Sequence, residues 1–218
     1  MCALRAARRL QEQRQSLTAV DVVKRLNDLW EDFLNDCDGR IVELIDPAKT
    51  KYYDKGFGHP VDHNFPEATK EIREAGKCLA VGLDTACVFH LMRAVEHGVC
   101  PLAIAGGVTS IGPLVPLDYA TWDELSCKIK AIVNDDKTLA EWSKPAKASF
   151  RAFFSGSLSD FNAFRDECRN LLMHTRSGLY NEHEALNWIT PVSQFMKRLA
   201  ERVPEQSTTS LLQEGKWL

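Results

Sequence analysis

The sequence has few of the features that assign a chain to a secreted, membrane-spanning or zinc-binding class. Its seven cysteines are an odd number, lie far apart and form no C-x-x-C pair, which disfavours a disulfide framework and a cysteine zinc site. No uncharged apolar run reaches the roughly 18 residues that a membrane span needs, and residues 1–15 lack the apolar core of a signal peptide. We therefore expect no membrane association and a reducing, cytoplasmic location.

An excess of positive charge and the common catalytic motifs are also absent. The net charge of −3 and the isoelectric point near 6.1 exclude a protein that coats nucleic acid through bulk electrostatics, so any RNA contact must be local. No nucleophile elbow accompanies the serines, and no glycine-rich loop of the P-loop or dinucleotide-binding type occurs. These absences disfavour serine and cysteine hydrolases, and we expect no cofactor and no metal.

Helical periodicity dominates the chain, and alternating patterns typical of strands are scarce. Capping boxes predict three helix starts, at Thr18, Thr121 and Asn181, because each has an acidic residue three positions later. The expected fold class is therefore all-α.

The division of the chain follows from these helices and from the segments between them. We expect N-terminal helices and a loop in residues 1–65, including a basic helix over 3–14, then a helical bundle over 66–203 and a loosely ordered tail over 204–218. Within the bundle, the pattern predicts a central helix over 67–100 that ends before Pro101, and two helices over 138–154 and 159–175.

The segment 46–66 is rich in proline, glycine and aromatic residues, which predicts a loop. Long loops in compact domains often serve function, so this segment is a candidate lid over a site. The simpler alternative is a loop that packs its aromatic side chains over a helix pair.

The most informative polar residues lie near the end of the helix predicted over 159–175. Asp166, Asn170 and His174 are spaced four apart and share one face, with Arg169 beside Asn170. Arg169 and His174 are separated by about 140° around an ideal helix, so both reach one phosphate only if Arg169 bends round or the helix ends near His174.

These residue types suit metal-free RNA cleavage, in which the ribose 2′-OH attacks its own phosphate. A histidine serves as acid or base at neutral pH, and an arginine neutralises the phosphorane through its planar fork. An asparagine orients the histidine or holds the phosphate by hydrogen bonds. Arg169, Asn170 and His174 are therefore the candidate catalytic residues.

The run RNLLMH at residues 169–174 resembles the R-N-x-x-x-H form of the motif of the HEPN superfamily, a group of all-α domains that includes many ribonucleases. The upstream helix is similar to the central helix of bacterial HEPN proteins, which are often linked to toxin-antitoxin and phage-defence systems, and it contains the run ACVFHLMRAVEH at residues 86–97. The resemblance covers residues 66–203.

The resemblance implies a HEPN-like bundle and a homodimer in which two copies of the motif form one composite site. Arg169 of one subunit would then act beside His174 of the other, with RNA as substrate and an antitoxin or other regulatory protein as a further partner. Some HEPN toxins carry a modifiable tyrosine two residues after the histidine. Here that position is Arg176, which instead extends a phosphate-binding patch, and the nearest tyrosine is Tyr180.

A second polar row lies on the predicted central helix, where His90, Arg93 and His97 share a face. In one interpretation this row lines the cleft that binds RNA, with Arg93 in contact with an RNA phosphate and Glu96 holding an arginine in place. The other is a hydrogen-bonded network that fixes two helices together. Together with Asp166 and Arg176, the row gives the predicted substrate-binding residues. A zinc site from His90 and His97 is disfavoured because further ligands are lacking.

Three functions remain open on the sequence alone. The first is a metal-independent endoribonuclease that acts as a toxin or phage-defence effector. The second is a non-catalytic HEPN-like module that binds RNA, a nucleotide or a protein partner. The third is a structural helical protein whose dimer interface carries polar groups.

Overall fold

The computed structural model describes residues 18–40, 45–112, 117–173, 179–206 and 211. At residues 118 and 168–173 it describes the backbone but not the side chains. The described part is all-α, as predicted, and contains no β-strand. Its helices, numbered in chain order, are α1 (Ala19–Cys37), α2 (His59–Asn64), α3 (Pro66–Ala80), α4 (Asp84–Ala105), α5 (Trp122–Asn134), α6 (Lys144–Met173) and α7 (Glu182–Ala200). A short 3₁₀ helix, Leu117–Tyr119, precedes α5.

Three of these helices begin at the predicted capping boxes, which are therefore confirmed. Thr18, Thr121 and Asn181 each accept a hydrogen bond from the backbone N–H three residues later, and the acidic side chain at that position accepts from the backbone N–H of the cap. This reciprocal pair satisfies two N–H groups that would otherwise lack partners at the helix start.

The chain divides into two compact units, residues 1–44 and 45–218. In the first, α1 has its apolar residues on one side, and none of its residues is buried. The segment 45–65, which we expected to group with the N-terminal helices, belongs to the second unit. The reason is that Val61 and Phe65 are fully buried in the core of that unit.

The second unit is organised around α4, which contacts α3, α5, α6 and α7. Residues along the whole of α4 are buried, including Cys87, Leu91, Val95 and Leu102. By length and composition α4 would also suffice to cross a membrane, but 61% of that apolar window is buried inside the protein. The prediction of a central helix that is apolar on several sides is confirmed for α4, because it packs against four other helices.

The expectation of one helix over 67–100 is wrong, because two helices meet in this region. Gly82 has a φ of +76°, its N–H donates to Leu79, and the N–H of Leu83 donates to the carbonyl of Cys78. This hydrogen-bond pattern is a Schellman motif, which requires a left-handed residue and so favours glycine. The isolated Gly82 in an apolar sequence gave too weak a signal.

Pro101 does not end the central helix as expected, since α4 continues to Ala105. Pro101 is itself buried, and so are its neighbours Val99, Leu102 and Ala103. Packing around this turn offsets the missing N–H of proline. The helix ends instead at Ala105 and is followed by Gly106 and Gly107, the latter with a φ of +87°.

Two other expectations are wrong in a similar way. The helices predicted over 138–154 and 159–175 are one helix, α6, because the intervening residues Ser157 and Leu158 are buried on its inner face. The predicted loop 46–66 contains α2, which follows Gly58 with its φ of +108° and has Pro60 in its first turn. The expected helix over 3–14 lies outside the described residues.

Candidate functional site

The first five residues of the R-N-x-x-x-H motif, 169–173, form the C-terminal end of α6. Arg169 and Asn170 belong to the last two turns of this helix, whereas His174 and Arg176 lie outside the described residues. The predicted buried stripe of α6 is confirmed at Phe161 and Phe164, which are almost fully buried. The last turns of α6 therefore extend from a part of the helix that the core holds in place.

Asp166, predicted to bind substrate, is bound by its own neighbour. Arg165 donates to one carboxylate oxygen of Asp166 through Nε and Nη2, at 2.9 and 2.7 Å, and through Nη1 to Asp123 on α5 at 2.6 Å. The hydrogen bond to Asp166 is the main reason that the pKa of Arg165 is raised. The carboxylate of Asp166 thus belongs to a surface ion network that links α6 to α5.

The polar row on α4 is bound by a glutamate of α3. His90 Nδ1 lies 2.7 Å from Oε2 of Glu71, and Nε of Arg93 donates to Oε1 at 2.8 Å. Desolvation of the Glu71 carboxyl opposes its ionisation, but the hydrogen bonds from His90 and Arg93 together outweigh it, so the pKa of Glu71 is lowered. Both carboxylate oxygens are therefore used to fasten α4 to α3.

This arrangement matches the second of the two interpretations of the row, a network between helices. The side chain of Glu71 is 15% exposed and that of Arg93 is 63% exposed, so the acceptor is largely buried while much of the guanidinium faces solvent. Arg93 can hold Glu71 through Nε and still present its terminal nitrogens to a phosphate.

His97, the third member of the row, has a different partner. Its Nδ1 lies 3.4 Å from Oε1 of Glu205. The same carboxylate accepts hydrogen bonds from the backbone N–H groups of Glu67 and Ala68 at 2.9 and 3.0 Å, and so caps the N-terminus of α3. Glu205 belongs to the tail expected over 204–218, most of which lies outside the described residues.

Glu96 was expected to tether an arginine, but the arginine on this face, Arg93, binds Glu71 instead. Desolvation by neighbouring protein atoms raises the pKa of Glu96, and the charges of Arg93 and His97 only partly counteract this. The carboxyl of Glu96 thus has a higher proton affinity than an ordinary surface glutamate.

Sequence reasoning missed Glu71 and Glu205, the two acceptors that organise the row. Glu71 is 19 residues from His90, and Glu205 is 137 residues from Ala68. Neither separation leaves a periodic signal in the sequence. The signal that could have found Glu71 is its position near the middle of a helix that pairs with α4.

Within the ranges that the structure describes, no group of three or more histidine, cysteine or acidic side chains could hold a metal ion. None of the five cysteines whose side chains the structure describes forms a disulfide. Comparison of the chain with protein-family models, with curated proteins and with solved structures finds no match in any of the three.

Proposed function

We propose that the protein is a metal-independent endoribonuclease of the HEPN type, which cuts RNA at a composite site across a homodimer. The observation that carries this proposal is the R-N-x-x-x-H motif at the end of the long helix α6 in an all-α unit. The resemblance of residues 86–97 to the central helix of such domains supports it, because these residues lie in α4, one of the helices that α6 contacts.

In the proposed reaction His174 acts as the general acid or base for attack of the ribose 2′-OH on the adjacent phosphate. The new bond joins the 2′ oxygen to phosphorus, the bond from phosphorus to the 5′ oxygen breaks, and the leaving oxygen takes up a proton. Arg169 stabilises the charge of the phosphorane, and Asn170 orients the histidine or the phosphate. The products carry 2′,3′-cyclic phosphate and 5′-hydroxyl ends.

The biological role proposed for this activity is that of a cytoplasmic toxin or phage-defence effector restrained by a partner. The net charge of −3 gives low affinity for generic RNA, so selection by a structured target or by a partner is favoured over indiscriminate degradation. Arg93, with its exposed guanidinium, and Arg176 are the residues proposed to bind RNA phosphates outside the reacting linkage.

The test is cleavage of a mixed RNA pool in EDTA by the wild-type protein and by His174→Ala, Arg169→Ala and Asn170→Ala. We expect His174→Ala to lower the rate about 10²-fold or more, because general acid–base catalysis commonly contributes at least that factor. His183→Ala is the matched control, since His183 is an exposed histidine in the first turn of α7. Equal cleavage by His174→Ala and wild type, or loss of cleavage in EDTA, would contradict the proposal.

The composite site has its own test. We expect Arg169→Ala and His174→Ala each to have little activity as homodimers, but a mixture that exchanges subunits should regain part of the activity, because one intact arginine and one intact histidine then share a site. No recovery after demonstrated subunit exchange would contradict the shared site. Saturable RNA binding without cleavage, retained in the Arg169→Ala/His174→Ala double variant, would favour the non-catalytic module instead.

A further inference from the structure

A cavity of about 510 Å³ lies in the second unit. Its lining comes from the segment 51–58 and from helices α3, α4 and α7, and none of its lining residues belongs to α6. The volume is within the range of pockets that hold small organic ligands, roughly 300–1,000 Å³.

One wall of the cavity is built against α3 by close contacts. The backbone carbonyl of Tyr52 lies so near Gly76 of α3 that any Cβ at that position would overlap it, and a Cβ at Gly56 would overlap the carboxylate of Asp62. The N–H of Lys55 also donates to the carbonyl of Tyr52 at 3.3 Å. The wall therefore exists before any ligand binds, which lowers the cost of ordering it.

The interior of the cavity is apolar and the wall is aromatic. Ile72 and Leu91, both buried, contribute to the interior, and Ile189 adds a third aliphatic side chain. Tyr52 and Phe57, both half-buried, line the wall. Such a surface suits a flat ring, because aromatic side chains stack on rings and exclude water from them.

The charged residues that line the cavity are all lysines: Lys51, Lys55 and Lys197. Nζ of Lys51 lies 4.9 Å from the centroid of the Tyr52 ring. Lys55 and Lys197 are exposed, and neither forms an ion pair with another residue that the structure describes. Asp54, the acidic residue beside Lys55, is 3.9 Å from Lys77 instead.

We propose that this cavity binds a phosphate ester with a ring-bearing body, of the size of a mononucleotide. Three ammonium groups without an acidic lining residue match a ligand that carries more than one negative charge, which a phosphate monoester does and a single carboxylate does not. The ring would rest against Tyr52 and Phe57, and the hydroxyl of Ser193 is a hydrogen-bonding group at the same cavity. This inference does not depend on the proposed nuclease activity.

The test is isothermal titration of the full chain with each of the four ribonucleoside 5′-monophosphates. The corresponding nucleosides and inorganic phosphate serve as ligands that lack one half of the proposed chemistry. We expect at least one monophosphate to bind with a dissociation constant below about 1 mM, and its nucleoside and inorganic phosphate to bind about tenfold more weakly or worse. Absence of binding by all four monophosphates, or equal binding of nucleoside and monophosphate, would overturn the proposal.

Two double variants then test whether the ligand binds in this cavity. Lys55→Gln/Lys197→Gln should weaken binding about tenfold or more, because two cations are lost from the lining while polar side chains of nearly the same length remain. The matched control is Lys128→Gln/Lys130→Gln, which removes two exposed lysines of α5 that do not line the cavity. Equal weakening in both double variants would show non-specific attraction and overturn the assignment.

A second variant covers the case in which the lysine substitutions disturb folding. Ser193→Trp places a large ring at the cavity from the half-buried face of α7 and should abolish binding without removing charge. The Arg169→Ala/His174→Ala variant should bind the monophosphate as the wild type does. Retained affinity in Ser193→Trp would overturn the cavity as the site, whereas lost affinity in Arg169→Ala/His174→Ala would assign the binding to the nuclease motif.

Discussion

The helices α1 and α4 reach the same secondary structure for different physical reasons. Helix α1 has a complete capping box at Thr18 and a regular apolar stripe, yet none of its residues is buried, and Trp30 is 60% exposed. Helix α4 follows Leu83, which provides no side-chain cap, and contains Pro101, yet buried residues occur along its whole length. Local sequence signals specify α1, whereas tertiary packing holds α4 against a residue that disfavours helix.

The largest expected difference between the two helices is in cysteine reactivity. Burial raises the pKa of the Cys87 thiol in α4 to about 12, so only about one molecule in 10⁴ carries the reactive thiolate at pH 8. Cys37, the last residue of α1, is half-buried. We expect iodoacetamide to label Cys37 in the native protein and Cys87 only after denaturation, with a rise in the Cys87 rate of about 10³-fold or more in urea, measured by peptide mass spectrometry.

Exposed Cys127 of α5 serves as the internal control for this experiment. Its labelling should change little between native and denatured protein. Rapid native labelling of Cys87 would mean that α4 opens readily and would remove the contrast between the helices.

A leucine-to-alanine substitution in each helix should lower the free energy of unfolding by very different amounts. Leu102 of α4 is fully buried, so Leu102→Ala should lower the free energy of unfolding by about 2–5 kcal/mol through lost transfer energy and a residual cavity. Leu26 of α1 is 51% exposed, and Leu26→Ala should change it by less than about 0.5 kcal/mol. Urea unfolding followed by circular dichroism measures both, and equal effects would contradict the comparison.

The Glu71 contact tests whether α4 is held by charge as well as by apolar packing. Glu71→Gln should lower the free energy of unfolding at neutral pH by about 1 kcal/mol. The effect is smaller than that of a fully buried ion pair because solvent screens the charge of the exposed Arg93. Because the folded-state pKa of Glu71 is lowered, its contribution is present above the ordinary pKa of glutamate and is lost as the pH falls below it.

The difference between wild type and Glu71→Gln should therefore shrink in acid when urea unfolding is repeated from pH 7 to pH 3. Glu74→Gln on the same helix is the control, since Glu74 pairs with Lys77 at the surface. A difference that grows in acid would have the opposite sign and would refute the role of the Glu71 carboxylate.

The smallest expected effect concerns the helix caps. Thr18→Ala should lower hydrogen-exchange protection in the first turn of α1 about fivefold, because the cap is the main local support of that turn. Thr121→Ala should have a weaker local effect in α5, where Leu125 and Ile129 are buried. Equal loss of protection at the two sites would indicate that burial does not support α5.

The helix starts could be predicted because each depends on residues three positions apart. The three capping boxes at Thr18, Thr121 and Asn181 are such cases, and all are confirmed. The break at Gly82 and the continuation through Pro101 could not be predicted, since a single glycine and a single proline act oppositely in these two places. The difference lies in what surrounds them in the folded chain.

The same reasoning applies to the candidate sites. The motif from Arg169 to His174 lies in consecutive residues and is visible in the sequence, whereas its geometry depends on side chains beyond those described. The lysine-lined cavity joins Lys55 to Lys197 across most of the unit, and no pattern in the sequence connects them. The helical face shared by His90 and Arg93 was predictable, but their acceptor Glu71 was not.

The capping of α3 by Glu205 has a consequence for the order in which the protein can fold during synthesis. Helices α3 and α4 leave the ribosome early and can pair at once, but the carboxylate that binds the first amides of α3 arrives only after α7 has been made. The first turn of α3 is therefore completed late. A ribosome stalled before codon 205 would hold a nascent bundle with this turn still open to water.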